Sequence, residues 1–219
     1  LLAFPLSAIA GSGSSETACE GMGESTSSQK KYECFIDSYQ AKKSDISSKF
    51  QLLVQAAGAG HIQSIFTLGY FYSKGELLEK DLTEGNKFLL VAAEANHTES
   101  QFMLGLNFEE LAWELPKVEK IKLISESQKW FNKAGSNGHV KAKRELAASI
   151  LRHSDDEGDH HRAEELLKES FYEGDTLSAK YLITYFETLH KHTGDAKYEK
   201  EILLWKRCYE ESQCDPNKK

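Results

Sequence analysis

The chain has 219 residues, 40% of them hydrophobic, which is enough apolar material for a folded core and excludes a mainly disordered chain. Its formal net charge is −7, and this acidic balance repels nucleic-acid phosphates and anionic lipid headgroups, so nucleic acid is a poor partner class. Only 3 prolines, among long stretches rich in Ala, Glu, Lys and Leu, favour helices over a sheet sandwich.

The first ten residues form an apolar run that ends in the small-x-small pattern Ala8-Ile9-Ala10. This pattern is typical of a secretory signal peptide at its cleavage site, so we interpret residues 1–10 as the remnant of one. A short buried N-terminal helix or strand is the alternative. Residues 11–30 are rich in Gly and Ser and are predicted to form a flexible segment. No later stretch reaches the ~20 apolar residues that a membrane span needs.

Four cysteines occur as two local pairs, Cys19 with Cys34 and Cys208 with Cys214. An even number of cysteines is typical of disulfides in an exported protein. Three pairings can be drawn, and we favour the two local ones, because a link between the ends would require the termini of an extended array to meet. Neither spacing is the short C-x2-C pattern of zinc sites, so a metal role for the cysteines is disfavoured.

An internal repeat organises the segment between the cysteine pairs. Its frame starts at Gly60-His61 and recurs at Asn96-His97, Gly138-His139 and Gly174-Asp175, at spacings of 36, 42 and 36 residues. A period of this length predicts stacked supersecondary units. In every copy a small residue is followed four positions later by a leucine, so both lie on one helical face. These pairs are Ser64 and Leu68, Ser100 and Leu104, Ala142 and Leu146, and Ser178 and Leu182.

A second helix follows in each unit. A bulky residue recurs there at separations of 36, 42, 36 and 39 residues, so each unit is predicted to be a pair of antiparallel helices. The bulky residues are Leu52, Phe88, Trp130, Leu166 and Trp205. We predict helices at residues 31–42, 45–57, 62–73, 81–94, 98–112, 118–134, 140–152, 160–172, 176–190 and 196–210.

Start and stop signals agree with these helices. The predicted caps are Asp45, Asp81 and Asp159 at helix starts and Gly75 and Gly194 at helix ends. Pro116 lies where the second unit is six residues longer than the first, and it interrupts the helical pattern there. The chain is therefore predicted to be all-α, with about five helical hairpins over residues 31–212 and a C-terminal tail at 213–219.

The first full repeat carries a longer motif. Its string is Gly60-His61-x-x-Ser64-x-Phe66-x-Leu68-Gly69-x-x-Tyr72-x-x-Gly75, followed by Asp81, Phe88 and Ala92-Ala93. This string resembles the Sel1-like repeat, a helical-hairpin relative of the tetratricopeptide repeat, and the resemblance covers roughly residues 45–210. It fades in the third and fourth copies, where Arg144 and Lys180 replace the aromatic residue and Ala147 and Ile183 replace the glycine.

The resemblance implies a right-handed α-solenoid of Sel1-like repeats that holds protein partners, usually in bacterial envelopes, and has no catalytic residues of its own. The paired cysteines also resemble those of exported bacterial Sel1-like proteins. We therefore expect a periplasmic or secreted protein that is a monomer or a weak oligomer.

One loop is crowded with side chains that could bind a metal ion, and an H-x-H pair follows later. These residues are Asp155, Asp156, Asp159, His160 and His161 in the loop, and His190 with His192 in the pair. We interpret the loop as an acidic turn that caps the next helix, because the helical H-x-x-x-H and H-E-x-x-H zinc patterns are missing. The alternative interpretation of these residues is a metal site, but we predict the capping turn and no metal site.

Catalytic motifs are missing from the sequence. It contains no G-x-S-x-G, no G-x-x-x-x-G-K-[ST], and no G-x-G-x-x-G after a predicted strand. His61, His97 and His139 recur at one structural position of the repeat, which favours a turn or cap role over catalysis. We therefore predict neither an enzyme nor a cofactor.

The first helix of each hairpin lines the concave side of a solenoid of this kind, so first-helix positions outside the core frame predict a partner-binding groove. Tyrosine and methionine in such positions are typical protein-interface anchors. The predicted groove residues are Gln63, Thr67, Tyr70, Lys74, Met103, Asn107, Glu145, Tyr181 and Tyr185. Phe71, Leu106 and Leu177 either join this groove or fill gaps between hairpins.

The expected partner is another protein, and the acidic balance suits a basic one. Exported Sel1-like proteins resemble known partners of secreted antibacterial toxins. The most specific hypothesis is therefore an immunity protein that neutralises a type VI-like, lipase-class effector. A general envelope scaffold or peptidoglycan-associated assembly or virulence factor is the alternative.

Overall fold

The computed structural model describes Cys19, residues 22–23, 25–41 and 46–211, except for the side chains of residues 47 and 48. This part of the chain contains ten α-helices and no strand. The helices are α1 Ser28–Gln40, α2 Ile46–Gly58, α3 Ile62–Lys74, α4 Leu82–Glu94, α5 Thr98–Ala112, α6 Lys117–Ser136, α7 Val140–His153, α8 Glu157–Tyr172, α9 Leu177–Thr193 and α10 Lys197–Glu211.

The described residues are all-α and form helical hairpins, as predicted. The chain divides into two compact units, one ending at Leu68 and the other starting at Gly69, so that α3 contributes to both. In the first unit α1 packs against α2. In the second unit each helix from α4 to α10 packs against the next one along the chain, which is the expected stacking of neighbouring repeats.

The helix bounds differ from the predicted ones by at most three residues. The largest differences include the start of α1 at Ser28, inside the segment predicted to be flexible, and the start of α8 at Glu157. Asp45, residues 1–10, Cys214 and the predicted tail lie outside the described residues.

Side-chain caps explain several of these boundaries. The Asp81 carboxylate accepts hydrogen bonds from the backbone N–H groups of Thr83 and Glu84, both at 2.9 Å, and starts α4 as predicted. Asp159 does not cap α8, contrary to the prediction. Asp156 does so instead and accepts a hydrogen bond from the Asp159 N–H at 3.0 Å.

Glycines end α3 and α9 as predicted. Gly75 and Gly194 have φ of +72° and +68°, a left-handed conformation that residues with a Cβ rarely adopt. Pro116 precedes α6 as its N-cap residue, where its lack of an N–H costs no helical hydrogen bond. The longer second repeat thus contains a short turn between two complete helices, α5 and α6.

A disulfide links Cys19 to Cys34 on α1, with the two Cα atoms 5.7 Å apart, as predicted. The bond holds the segment before α1 to the buried side of that helix, where Cys34 is 2% exposed. Cys208 is fully buried on α10 and is also disulfide-bonded. Its predicted partner, Cys214, lies outside the described residues.

Candidate functional site

Two of the three recurring histidines, His97 and His139, are helix caps, which confirms the predicted role for those two. The Nδ1 atom of His97 accepts a hydrogen bond from the N–H of Ser100 at 3.2 Å, and His139 caps Ala142 in the same way at 3.1 Å. The His139 Nε2 lies 3.1 Å from Glu99 Oε2, to which it donates when Nδ1 is the acceptor. These contacts account for both ring nitrogens of His139 and leave neither for catalysis.

Three of the nine predicted groove residues are interior. Thr67, Met103 and Asn107 are buried, so they offer no surface to a partner in this structure. The Thr67 hydroxyl donates to the Gln63 carbonyl at 2.8 Å. The Asn107 amide donates to Ser73 Oγ and to Asn86 Oδ1, both at 2.7 Å, which ties α5 to α3 and α4. We therefore leave these three residues out of any proposed binding surface.

The other predicted groove residues reach the surface. They are Gln63, Tyr70, Lys74, Glu145, Tyr181 and Tyr185, of which Lys74 is exposed and the rest are partly exposed. Gln63 belongs to the first compact unit and the other five to the second. The Tyr70 hydroxyl donates to Glu76 Oε1 at 3.3 Å, which directs the tyrosine towards the turn after α3.

An arginine brings two of these residues together. Arg144 is 7% exposed and donates to both carboxylate oxygens of Asp175, at 2.7 and 2.6 Å. It also donates from Nη2 to Glu145 at 3.0 Å. Its guanidinium carbon lies 6.0 Å from the centre of the Tyr181 ring, within cation–π range. Glu145 and Tyr181 are therefore held around one buried cation, Arg144, whose only signal in the sequence is a departure from the repeat motif.

Tyr185 lies one helical turn beyond Tyr181 on α9 and is also held by its neighbours. The ring of His160 meets it edge-on, with ring centres 6.2 Å apart and planes at 89°. Burial raises the pKa of Tyr185, and the nearby Glu164 raises it further. The phenol therefore stays protonated at neutral pH and can donate a hydrogen bond.

The acidic loop before α8 is occupied by its own hydrogen bonds. Ser154 Oγ donates to Asp159 at 2.6 Å, and His160 Nε2 lies 2.7 Å from the Ser154 carbonyl, to which it donates. His190 contacts the Asp195 carbonyl at 3.0 Å near the end of α9. Within the described residues no three His, Cys, Asp or Glu side chains are grouped so that they could hold a metal ion.

An apolar cluster that the sequence motifs do not predict lies at the turn between α5 and α6. Trp113 and Val118 are 76% and 80% exposed there, and Ile121 is 58% exposed. The sequence contained one signal for this cluster, the six extra residues around Pro116. Because tryptophan and isoleucine usually belong to a core, hydropathy alone would not have placed them on the surface. None of the described helices is both long and apolar enough to cross a membrane.

No protein-family model matches the sequence, and no curated protein is significantly similar to it. Among solved structures, a Sel1 repeat protein from Oxalobacter formigenes is similar over 85% of this chain and 88% of its own, with a TM-score of 0.59 at 16% identity. A protective antigen of uropathogenic Escherichia coli that displays an SLR fold aligns with 84% of this chain and 46% of its own, with a TM-score of 0.46 at 17% identity. The chain therefore has the Sel1 repeat fold.

Proposed function

We propose that this protein is an exported, periplasmic or secreted protein that binds one protein partner through a surface centred on Tyr181 and Tyr185. The Sel1 repeat fold suggests protein–protein interaction, and such scaffolds are typically non-enzymatic. The proposal includes no catalytic step and no cofactor. Tyr70, Lys74 and Glu145, which belong to the same compact unit, are proposed contributors.

The observation that carries the proposal is that neighbouring side chains hold the rings of both tyrosines in place. Both project from α9 one turn apart, so their rings lie on the same face of the helix. Tyr181 lies over Arg144, and Tyr185 packs against His160. Because the rings are already fixed, binding a partner costs them little conformational entropy, and tyrosine is enriched among residues that dominate binding energy.

The cysteines support the export part of the proposal. The Cys19–Cys34 disulfide and the bonded Cys208 are expected in an oxidising compartment, because cytosolic thiols are kept reduced. The apolar run at residues 1–10 adds to this as a predicted signal-peptide remnant.

Substitution of the tyrosines tests the surface. Affinity-tagged protein is used to capture partners from the periplasmic fraction of the native host, and the partner's Kd is then measured for Tyr181→Asp and Tyr185→Asp. We expect each change to weaken binding at least about tenfold, because a carboxylate would be buried in the interface. Tyr209→Asp on α10 is the matched control, since Tyr209 is a surface tyrosine, 41% exposed, that is not part of the proposed surface. Unchanged binding in both variants would refute the proposed surface.

The narrower proposal is an immunity protein for a secreted antibacterial effector of the lipase class. Its support is the resemblance of exported Sel1-like proteins to the partners of such toxins. The identity of the captured partner tests it directly. A secreted toxin whose activity is blocked at an equimolar ratio would support the immunity role, and a resident envelope or peptidoglycan-associated protein would support the scaffold alternative instead.

A further inference from the structure

The turn between α5 and α6 exposes four apolar side chains within nine residues. We name Trp113, Leu115, Val118 and Ile121 the hairpin tip. Leu115 is 37% exposed and the other three are more exposed still. The tip lies where the second repeat is six residues longer than the first, so it is an addition to the repeat rather than part of its core frame.

The helix α6 shows why these side chains do not join the core. The buried positions of α6 start only at its eighth residue, Ile124, and continue with Ser127, Trp130, Phe131, Ala134 and Gly135. Val118 and Ile121 are three residues apart, so they share a face of the helix, and both are exposed. The start of α6 therefore presents a contiguous apolar face to solvent. Such a face indicates an interaction site, whereas single exposed apolar residues do not.

Three lysines lie next to these apolar residues in the sequence. Lys117 and Lys122 are exposed, and the Lys120 ammonium lies 6.0 Å from the centre of the Trp113 ring. In the described part of the chain none of the three forms an ion pair. Two glutamates, Glu114 and Glu119, lie in the same stretch, so the tip carries a small positive charge in a chain of net charge −7.

This composition favours a lipid surface over a protein. Lysine is depleted in protein–protein interfaces, whereas tryptophan beside lysine is typical of side chains at the boundary between headgroups and acyl chains. A second copy of the chain is a poor occupant, since a stable dimer buries about 800 Å² on each partner and four partly exposed side chains offer less. The acidic remainder of the chain is screened beyond a Debye length of about 8 Å at physiological salt.

We propose that the hairpin tip is a peripheral docking site for a bilayer that contains anionic phospholipid. Trp113, Val118 and Ile121 enter the headgroup region of the bilayer, and the ammonium groups of the three lysines contact lipid phosphates. The contact involves none of the residues proposed for the protein partner. It would hold the protein at a membrane surface while the partner-binding tyrosines remain available.

Vesicle binding tests this proposal with the full chain. The protein is mixed with vesicles of phosphatidylglycerol and phosphatidylcholine in equal parts, or of phosphatidylcholine alone, and binding is followed by sedimentation and tryptophan fluorescence. Trp130 and Trp205 are buried, so a blue shift of the emission reports mainly on Trp113. We expect sedimentation and a blue shift with the anionic vesicles, and at least about tenfold weaker binding to phosphatidylcholine alone.

Variants assign the contact to the tip. Trp113→Ala, and separately the triple change of Lys117, Lys120 and Lys122 to Gln, should each weaken binding to anionic vesicles at least about tenfold. Leu203→Ala is the matched control, because Leu203 is an equally apolar side chain that is 68% exposed on α10. Because these side chains are largely exposed, thermal unfolding should be unchanged, which separates lost binding from lost folding.

The proposal would be overturned if the wild-type protein failed to sediment with anionic vesicles, or if Trp113→Ala bound them as well as wild type does. Loss of partner capture in Trp113→Ala without any vesicle binding would also overturn it, and would assign the tip to a protein contact. Since Tyr181 and Tyr185 are intact in every tip variant, failure here leaves the proposed partner surface standing and separately testable.

Discussion

The imidazole ring of His139 stacks on the ring of Phe102, with the ring centres 4.2 Å apart. One repeat later, Arg144 occupies the position of Phe102 and Asp175 that of His139. These two residues form an ion pair in which Arg144 Nη1 donates to both carboxylate oxygens of Asp175. The aromatic stack and the ion pair thus join successive hairpins at the same place. Both residues of the contact differ between the two repeats, so the hairpins touch at the same place through a different kind of interaction.

Because the two positions are equivalent, we expect that an aromatic pair can replace the Arg144–Asp175 ion pair. Removing only one member of the ion pair should destabilise the protein. Arg144→Ala or Asp175→Asn alone leaves a buried group without its partner, and each should lower the free energy of unfolding by about 3 kcal/mol. The double variant Arg144→Phe with Asp175→His should recover part of that loss. Urea unfolding of the two singles, the double and the wild type measures it. A double variant that is less stable than both single variants would contradict the equivalence.

The partly buried His97 cap predicts a pH dependence of stability. Burial lowers the pKa of His97 below its ordinary value of 6.5, although the neighbouring Glu99 raises it in part. The unfolded chain therefore binds the proton more readily, so this contribution to stability is complete above pH 6.5 and is lost as the pH falls towards the lowered pKa. The urea midpoint should fall between pH 7.5 and about 5.5.

His97→Asn isolates that effect, because asparagine caps a helix through its side-chain oxygen but does not titrate. Its urea midpoint should change less over the same pH interval than the midpoint of the wild type. Equal slopes in the two proteins would show that other groups cause the pH dependence.

The close approach of α5 and α6 at Gly105 predicts a penalty for the smallest substitution. A Cβ atom at Gly105 would overlap the Phe131 ring. Gly105→Ala should therefore lower the free energy of unfolding by about 1–3 kcal/mol, although alanine is the better helix former. Gly58→Ala is the control, because nothing lies within 4 Å of the added atom. Equal stability of the two variants in urea would contradict the packing account.

Helix bounds could be predicted from the sequence because the repeat frame is local and periodic. A small residue and a leucine four positions later, as at Ser100 and Leu104, recur in every copy. A cap such as Asp81 depends only on the residues that follow it directly. The interior position of Asn107 could not be predicted in this way. Its amide is polar, and it is buried only because Ser73 and Asn86 on two other helices accept its hydrogen bonds.

The buried Arg144 and the exposed Trp113 escaped prediction for a related reason. Arg144 interrupts the aromatic pattern of the repeat, and its role depends on an acidic residue 31 positions later in the chain. Trp113 has the hydropathy of a core residue, yet the inserted turn leaves it exposed. In both cases the decisive partner, or the lack of a covering helix, is set by tertiary packing rather than by local pattern.

The disulfide predicts a defined loss of stability in the first unit. Replacing Cys19 and Cys34 together by alanine opens a loop of about 15 residues and should lower the free energy of unfolding by about 3 kcal/mol in the chain-entropy account. The double change avoids leaving a single reactive thiol. Urea unfolding checks the loss, and a variant as stable as the wild type would mean that the bond does not constrain the unfolded chain.

Site-specific photo-crosslinking tests the central claim most directly. A photoreactive phenylalanine analogue is placed at Tyr181 or, for comparison, at Tyr209, and living cells of the native host that produce the protein are irradiated. The account predicts one discrete crosslinked protein for position 181 and none for position 209. Crosslinks of equal yield at both positions, or none at position 181 while the tagged protein still captures its partner, would contradict it.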